Sequence, residues 1–537
     1  MSRPFNTIAV LLLTFFTAQS TYATSLIQPT KSVAPNSIVW RPCQDTTKFE
    51  FKFYCGMLTV PMDYKDPSLG NIQLPVTIHR ATATKLGTLI INFGGPWEND
   101  VTGLHRQFDR YSPTVREHYD MVSFTPRGVA PNPINCHPAD KNQFEEIQRT
   151  QNLTYMNSDL GATTQYTLSQ QSRQLCSYDT LSKHAGTRNT MQDVDMLRKA
   201  LGLEKISYLG YSYGTHLGLA YLLAYPQHVD KMMLDSNFPP SNDYAVVTDD
   251  TAYGIENVFR SFFQFCVDAG SKRCAVYQPA PQDIQAQYQA LINRAIAEHG
   301  IPTSSSKSDD QRFSVAMLQY MSEIVAAGDV AHWPQLATAW HQAIVDNNAD
   351  LLMALYVDAT GYEPAKQQYS DYNLNAMPSP VVCNDFTMPS YYDSSTAWID
   401  AMNRLRQKYP LAGAAVVTRL YSNICIGWPR TTEPLLPVDP KPITQATPTV
   451  LLVNNLYDPV TPLSSAQSVS RYLTRLNVKN KVLAWAGVGH MSYAVLAPTD
   501  GCIYNNVDAF FATGKLPTIE MCTDKVNPFI YPYPEHP

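Results

Sequence analysis

Charge is scarce in this chain. Only 16% of its 537 residues are Asp, Glu, Lys or Arg, and the net charge is −6. No cluster of Lys and Arg offsets that balance, which argues against a nucleic-acid surface. Metal-ligand spacings are missing as well. Neither Cys-x-x-Cys nor His-x-x-x-His occurs, so no metal is expected. After the first two dozen residues no apolar run is long enough to span a bilayer, and no membrane partner is expected. Internal repeats and low-complexity tracts are also absent, which excludes a repeat-built architecture.

What is present describes a globular protein. Hydrophobic residues make up 44% of the chain, enough to bury a sizeable core in one large domain with an insertion, or in two or three domains. The 32 tyrosines suit a pocketed enzyme without singling one out. Residues 1–23 read as a signal peptide. Arg3 gives a basic start, Ile8 to Ala18 is apolar but too short to cross a membrane, and Thr21-Tyr22-Ala23 offers a small-x-small cleavage site. The first cysteine, Cys43, lies too far on for a lipid anchor. An exported chain, periplasmic or secreted, is expected.

Ten cysteines in an exported chain read as disulfides. Sequence does not determine connectivity. Nearest-neighbour pairing is the expectation: Cys43 with Cys55, Cys136 with Cys176, Cys266 with Cys274, Cys383 with Cys425, and Cys502 with Cys522.

The pattern along the chain is that of an α/β fold. Phe51 to Val60 and Ile72 to His79 read as an antiparallel edge, and Gly87 to Phe93 and Tyr119 to Phe124 as strands buried on both faces. An amphipathic helix over Thr187 to Leu203 feeds a further strand from Ile206, and Lys231 to Asp235 reads as another. Between about 239 and 430 the signals turn helical, with segments at Ala252–Asp268, Ile284–His299, Phe313–Ala327, Trp333–Asn347 and Thr396–Lys408. Strands then return at Thr449 to Asn454 and Val482 to Ala486, before a last helix from Cys502. The expected organisation is an α/β core in two parts, residues 37–238 and 443–525, with a helical lid of residues 239–430 between them. A mostly parallel sheet, covered by helices on both faces, follows from the alternation.

The chemistry-bearing motif is Gly210-Tyr211-Ser212-Tyr213-Gly214, set between a strand and a helix. In a G-x-S-x-G elbow the turn lifts a serine hydroxyl out at the sheet edge. A hydroxyl needs a base to take its proton and an acid to orient that base, following in the order Ser, Asp, His at strand ends. Asp458 and His490 occupy those places. Taken singly, Asp before Pro is a common turn residue, and a lone His in a glycine-rich loop is more often structural. The agreement of order and strand-end placement selects Ser212, Asp458 and His490 as the catalytic residues. The oxyanion donors should be the backbone N–H groups of Tyr213 and of Gly95, in the loop Gly94-Gly95-Pro96-Trp97.

These motifs resemble the proline iminopeptidase and tripeptidyl aminopeptidase family of α/β-hydrolase serine exopeptidases. The matching stretches are Val60-Pro61-Met62-Asp63-Tyr64, Phe93-Gly94-Gly95-Pro96, Pro126-Arg127-Gly128, Tyr208 to Thr215, Asp458-Pro459-Val460-Thr461-Pro462 and Gly489-His490. The cysteines at 43 and 55 and at 502 and 522 resemble the secreted tripeptidyl aminopeptidase branch. The resemblance implies release of single residues or short peptides from a free N-terminus, of tripeptidyl or prolyl type, through an acyl-enzyme and without a cofactor. Two positions depart from the family pattern. Trp97-Glu98 stands where the glycine loop usually continues Gly-Gly, and Thr125 where an Asp usually precedes Arg-Gly. Glu98 and Asp385 are carboxylates suited to reading an ammonium group, although each alone reads more readily as a solvated surface acid. A carboxylesterase is the alternative enzyme, since the same triad cleaves esters.

Overall fold

The computed structural model describes residues 37–44, 51–96, 99–129, 146–147, 150, 154–155, 158–174, 179–306, 308, 311–327, 330–365, 368–369, 379–411, 425–429, 435–437, 441–444, 448–531 and 533. The signal segment 1–23, Trp97 with Glu98, and Cys136 with Cys176 lie outside them.

The strands, in chain order, are β1 (Arg41–Pro42), β2 (Tyr54–Pro61), β3 (Asn71–His79), β4 (Gly87–Asn92), β5 (Tyr119–Phe124), β6 (Ile206–Tyr211), β7 (Val229–Asp235), β8 (Tyr362–Glu363), β9 (Gln368–Tyr369), β10 (Thr449–Tyr457), β11 (Asn480–Val488) and β12 (Met521–Cys522). Ten of them form one sheet in the order β1-β2-β3-β5-β4-β6-β7-β10-β11-β12, while β8 and β9 pair separately. The first three pairings, out to β3 with β5, are antiparallel. Every pairing from β5 onward is parallel.

Continuous apolar runs make these central strands because both sheet faces are covered. Along β4, Leu89 and Ile91 join one apolar cluster and Ile90 the other. Along β10, Leu451 and Val453 face one side, and Val450 and Leu452 the opposite side. The helix after β6, Tyr213–Ala224, is buried over ten of its residues and apolar nearly all round, as a helix enclosed by sheet and neighbours must be.

Between β7 and β10 the described chain is helical, apart from the small β8–β9 ribbon. Helices Tyr244–Ala269, Pro281–Ala297, Val315–Ala327, Trp333–Val345 and Asp350–Thr360 pack around Phe262, Trp333 and Trp340. A second cluster gathers Phe386, Trp398 and Trp428 with Tyr213. Helix Asp159–Gln174, which precedes the elbow in sequence, joins this second cluster through Tyr166. Its Asp159 pairs with Arg406 of helix Ser395–Lys408 at 2.9 Å. Disulfides link Cys43–Cys55, Cys266–Cys274, Cys383–Cys425 and Cys502–Cys522, with Cα separations of 5.0, 5.3, 5.5 and 5.6 Å. All four fall within the range such bonds require.

Candidate active site

Parallel strands deliver the loops that follow them to one edge of the sheet. At that edge β6 ends in Tyr211, and Ser212 turns at φ +53° and ψ −124° before the helix begins. A non-glycine residue at positive φ costs about 1–3 kcal/mol and persists only where its surroundings enforce it. Here the enforcement is visible. The Ser212 N–H donates to the Asp235 carbonyl at 3.0 Å, and the Ser212 carbonyl accepts from the Thr215 N–H at 2.9 Å. The motif glycines are required by packing. A Cβ on Gly210 would stand 2.4 Å from the Gly214 carbonyl oxygen, and one on Gly214 would stand 2.5 Å from Asn92 Oδ1.

The loop after β4 closes on the same turn. Gly94 has φ +92°, and a Cβ there would lie 2.5 Å from the Tyr211 carbonyl oxygen and 3.0 Å from the Tyr213 nitrogen. Gly95 follows at φ +96°. Asp100, fully buried, accepts from the Phe93 N–H at 3.1 Å and from Asn92 Nδ2 at 2.5 Å, tying the loop back to the strand it leaves. Thr125, where the family usually has Asp, donates to Asn99 Oδ1 at 2.9 Å.

Asp458 and His490 come together beside β10 and β11. His490 Nδ1 lies 3.0 Å from both carboxylate oxygens of Asp458. The carboxylate also accepts from the Val460 and Thr461 N–H groups at 2.9 Å each and from Thr461 Oγ1 at 3.1 Å. Asp458 is 1% exposed, whereas 15% of the His490 side chain reaches solvent. With Nδ1–H donated to the carboxylate, Nε2 is left as the ring's acceptor.

The backbone of the His490 loop is held by side chains that spacing and motif reasoning did not single out. Asn455 Nδ2 donates to the carbonyls of Gly489 and Met491 at 2.6 and 3.2 Å, one on each side of His490. Asp235 and Ser236, at the end of β7, accept from the amides of residues 491 to 493. Burial pushes the Asp235 carboxyl up to about 7, opposed by the Tyr493 and Ser492 amides. The available signal was a polar residue closing an otherwise apolar run, as in KMMLD and LLVNN.

Two family motifs meet inside the protein. Arg127, fully buried, donates from Nε and Nη2 to the two oxygens of Asp193 at 2.7 and 2.6 Å. Its remaining donors reach the carbonyls of Pro61 and Met62, and Tyr64 donates to Asp193 at 2.8 Å. The Val60–Tyr64 and Pro126–Gly128 stretches therefore form one buried network. Asp385 is also buried, at 3% exposure, and is not a solvated surface acid. Its oxygens accept from the Tyr213 hydroxyl and, at 2.8 Å, from the Thr187 N–H. Burial raises its carboxyl to about 6. A narrow crevice lies beside this contact, lined by Gly94, Pro96, Arg127, Thr187, Tyr213 and Val381.

Two family models match parts of the chain. A family model described as the alpha/beta hydrolase fold covers residues 111–273, and one described as TAP-like protein covers residues 409–525. The chain is an α/β-hydrolase with a TAP-like C-terminal region. This hydrolase is similar to serine protease Hip1 of Mycobacterium tuberculosis, with 28% identity over 499 residues, 89% of each chain. It is 27% identical over 492 residues to a tripeptidyl aminopeptidase of Streptomyces lividans, covering 89% of this chain and 85% of that one. It is also 27% identical over 502 residues to carboxylesterase B of Mycobacterium tuberculosis, covering 90% and 89%. Among the described residues of the hydrolase, no helix is long and apolar enough to cross a membrane.

Proposed function

We propose that this hydrolase is an exported serine aminopeptidase that releases short N-terminal pieces, of tripeptidyl or prolyl type, from peptides with a free amine. The observation that carries the reading is the bidentate hold of Asp458 on His490 Nδ1, on strand ends that follow a strained Ser212 in sequence. In this scheme Ser212 attacks the scissile carbonyl while His490 Nε2 takes its proton. His490 then protonates the leaving amine, and water hydrolyses the acyl-enzyme by the same route in reverse. Asp458 keeps the productive tautomer and stabilises the imidazolium. The N–H groups of Gly95 and Tyr213 receive the oxyanion, which is consistent with the closeness of the Gly94 backbone to the Tyr213 nitrogen.

Peptide substrates and a peptidase class are supported by the names of two similar proteins, a serine protease and a tripeptidyl aminopeptidase. Export is supported by the disulfides and by the N-terminal composition. The esterase reading is favoured by one observation, the similarity to carboxylesterase B. Digestion of a peptide library with free and acetylated N-termini, read by mass spectrometry, separates the two. Cleavage a fixed short distance from free N-termini alone is expected. Turnover of acetyl esters with no peptide cleaved would overturn the proposal.

A further inference from the structure

Asp235 is a buried carboxylate that the acyl-transfer scheme leaves without a task. It ends β7 and is 0% exposed. Its backbone carbonyl receives the Ser212 N–H at 3.0 Å. Its side chain receives the Ser492 N–H, 3.1 Å from each oxygen, and the Tyr493 N–H at 2.8 Å. The next residue, Ser236, accepts the Met491 N–H on its hydroxyl at 2.8 Å. One dipeptide thus holds the amide of the serine and the three consecutive amides that follow His490.

The segment it holds is strained. Met491 has φ +71° and Ala494 φ +58°, and Ser236 itself has φ +60°. Left-handed backbone at L residues survives only where the surroundings over-determine it. The Asp458 contact orients the imidazole ring but does not fix its distance from the elbow. That distance is set by whatever joins the two loops, and the Asp235–Ser236 step is bonded directly to both.

We infer that Asp235, with Ser236, is a positioning residue that sets the His490 loop against the Ser212 elbow; this rests on the reading of Ser212 and His490 as nucleophile and base. A displacement near 1 Å between reacting groups costs up to about 10²-fold in rate. Because Asp235 is buried and touches no substrate, the loss falls on kcat and leaves KM in place.

The test compares Asp235→Ala, Asp235→Asn and Ser236→Ala with the unsubstituted enzyme. Active sites are counted by titration with a fluorophosphonate, and kcat is expressed per titrated site. Labelling of Ser212 in the unsubstituted enzyme checks the underlying reading separately, and failure there sinks that reading first. Asp235→Ala should lose about 10²-fold in kcat and in labelling rate, with KM within about 3-fold. Asp235→Asn retains an acceptor for the Ser492 and Tyr493 amides and should restore most of that loss. Ser236→Ala, missing one amide contact, should fall between them. A kcat per site within 3-fold of normal in Asp235→Ala overturns the inference. If Asp235→Ala does not fold, the same result in Ser236→Ala overturns it.

Discussion

The sheet edge and the helical segments between β7 and β10, which we read as a lid, contact the elbow with different chemistry. On the sheet side the contacts are to backbone. Asp235, Ser236 and Asn455 bind amides and carbonyls around His490, and the Asp235 carbonyl binds the Ser212 amide. On the lid side the contact is one side chain to another, with the Asp385 carboxylate receiving the Tyr213 hydroxyl. Tyr213 belongs to both regions, its backbone to the elbow and its ring to the lid cluster. Side chains that bond to backbone amides and carbonyls fix the course of the chain itself, whereas a bond between two side chains fixes only their rotamers. On the sheet side the contacts thus restrain the backbone that carries Ser212 and His490, and on the helical side they restrain the ring of Tyr213.

That contrast is breakable by experiment. Ser212→Ala should cut peptide turnover by at least about 10⁴-fold while thermal unfolding stays within a few degrees of normal. Retained turnover would move the chemistry away from the elbow. Asp458→Asn, which leaves the shape of the site but misdirects the imidazole tautomer, should lower kcat about 10⁴-fold. An undiminished kcat in that variant would deny Asp458 its role. On the lid side the effects should appear in stability. Replacing Cys383 and Cys425 by Ala removes a cross-link spanning 42 residues and should cost about 2–4 kcal/mol in denaturant unfolding. The rate of Ser212 labelling should stay the same, and a parallel fall in labelling would erase the distinction between regions.

The smallest effects concern Asp385 and the titration of Asp235 and Asp385. Asp385→Ala leaves the Tyr213 hydroxyl and the Thr187 amide short of an acceptor, at a cost of about 1–3 kcal/mol, and should raise KM more than it lowers kcat. Unfolded, an Asp titrates near about 4. Burial raises Asp235 to about 7 and Asp385 to about 6, so each holds its proton more tightly in the folded state. Their contribution to stability is complete below about pH 4 and is lost as pH rises through the folded values. Lowered histidines such as His105 and His216 act in the opposite direction over the same range, so the contribution of Asp385 is read as a difference between variants. Between pH 4 and 7 the melting temperature of Ser212→Ala with Asp385→Asn should lose less, or gain more, than that of Ser212→Ala alone, and identical profiles would deny Asp385 a raised carboxyl.

The sheet was legible because a strand buried on both faces must be a continuous apolar run, as in Leu89 to Ile91 and Val450 to Val453. The placing of Ser212, Asp458 and His490 after strand ends was legible because strand order fixes the sequence order of groups at the sheet edge. What holds them was not. Asp235 and Tyr493 are 258 residues apart, and no local pattern links a strand-end carboxylate to the amides it caps. Helix Asp350–Thr360 escaped for a different reason, since apolar residues fall on all of its faces and leave no helical period to read. The place of Asp385 depended on a contact with Tyr213 across 172 residues, which reversed its expected exposure.

In the proposed scheme Ser212 carries the N-terminal piece of a peptide as an ester. Intact-mass measurement of the enzyme, acid-quenched during turnover of a free-amine peptide and then mapped by proteolysis, tests it most directly. The expected result is an added mass equal to a short N-terminal fragment, located on Ser212 and absent in Ser212→Ala. An adduct on another residue, or none while peptide is being cleaved, would contradict it.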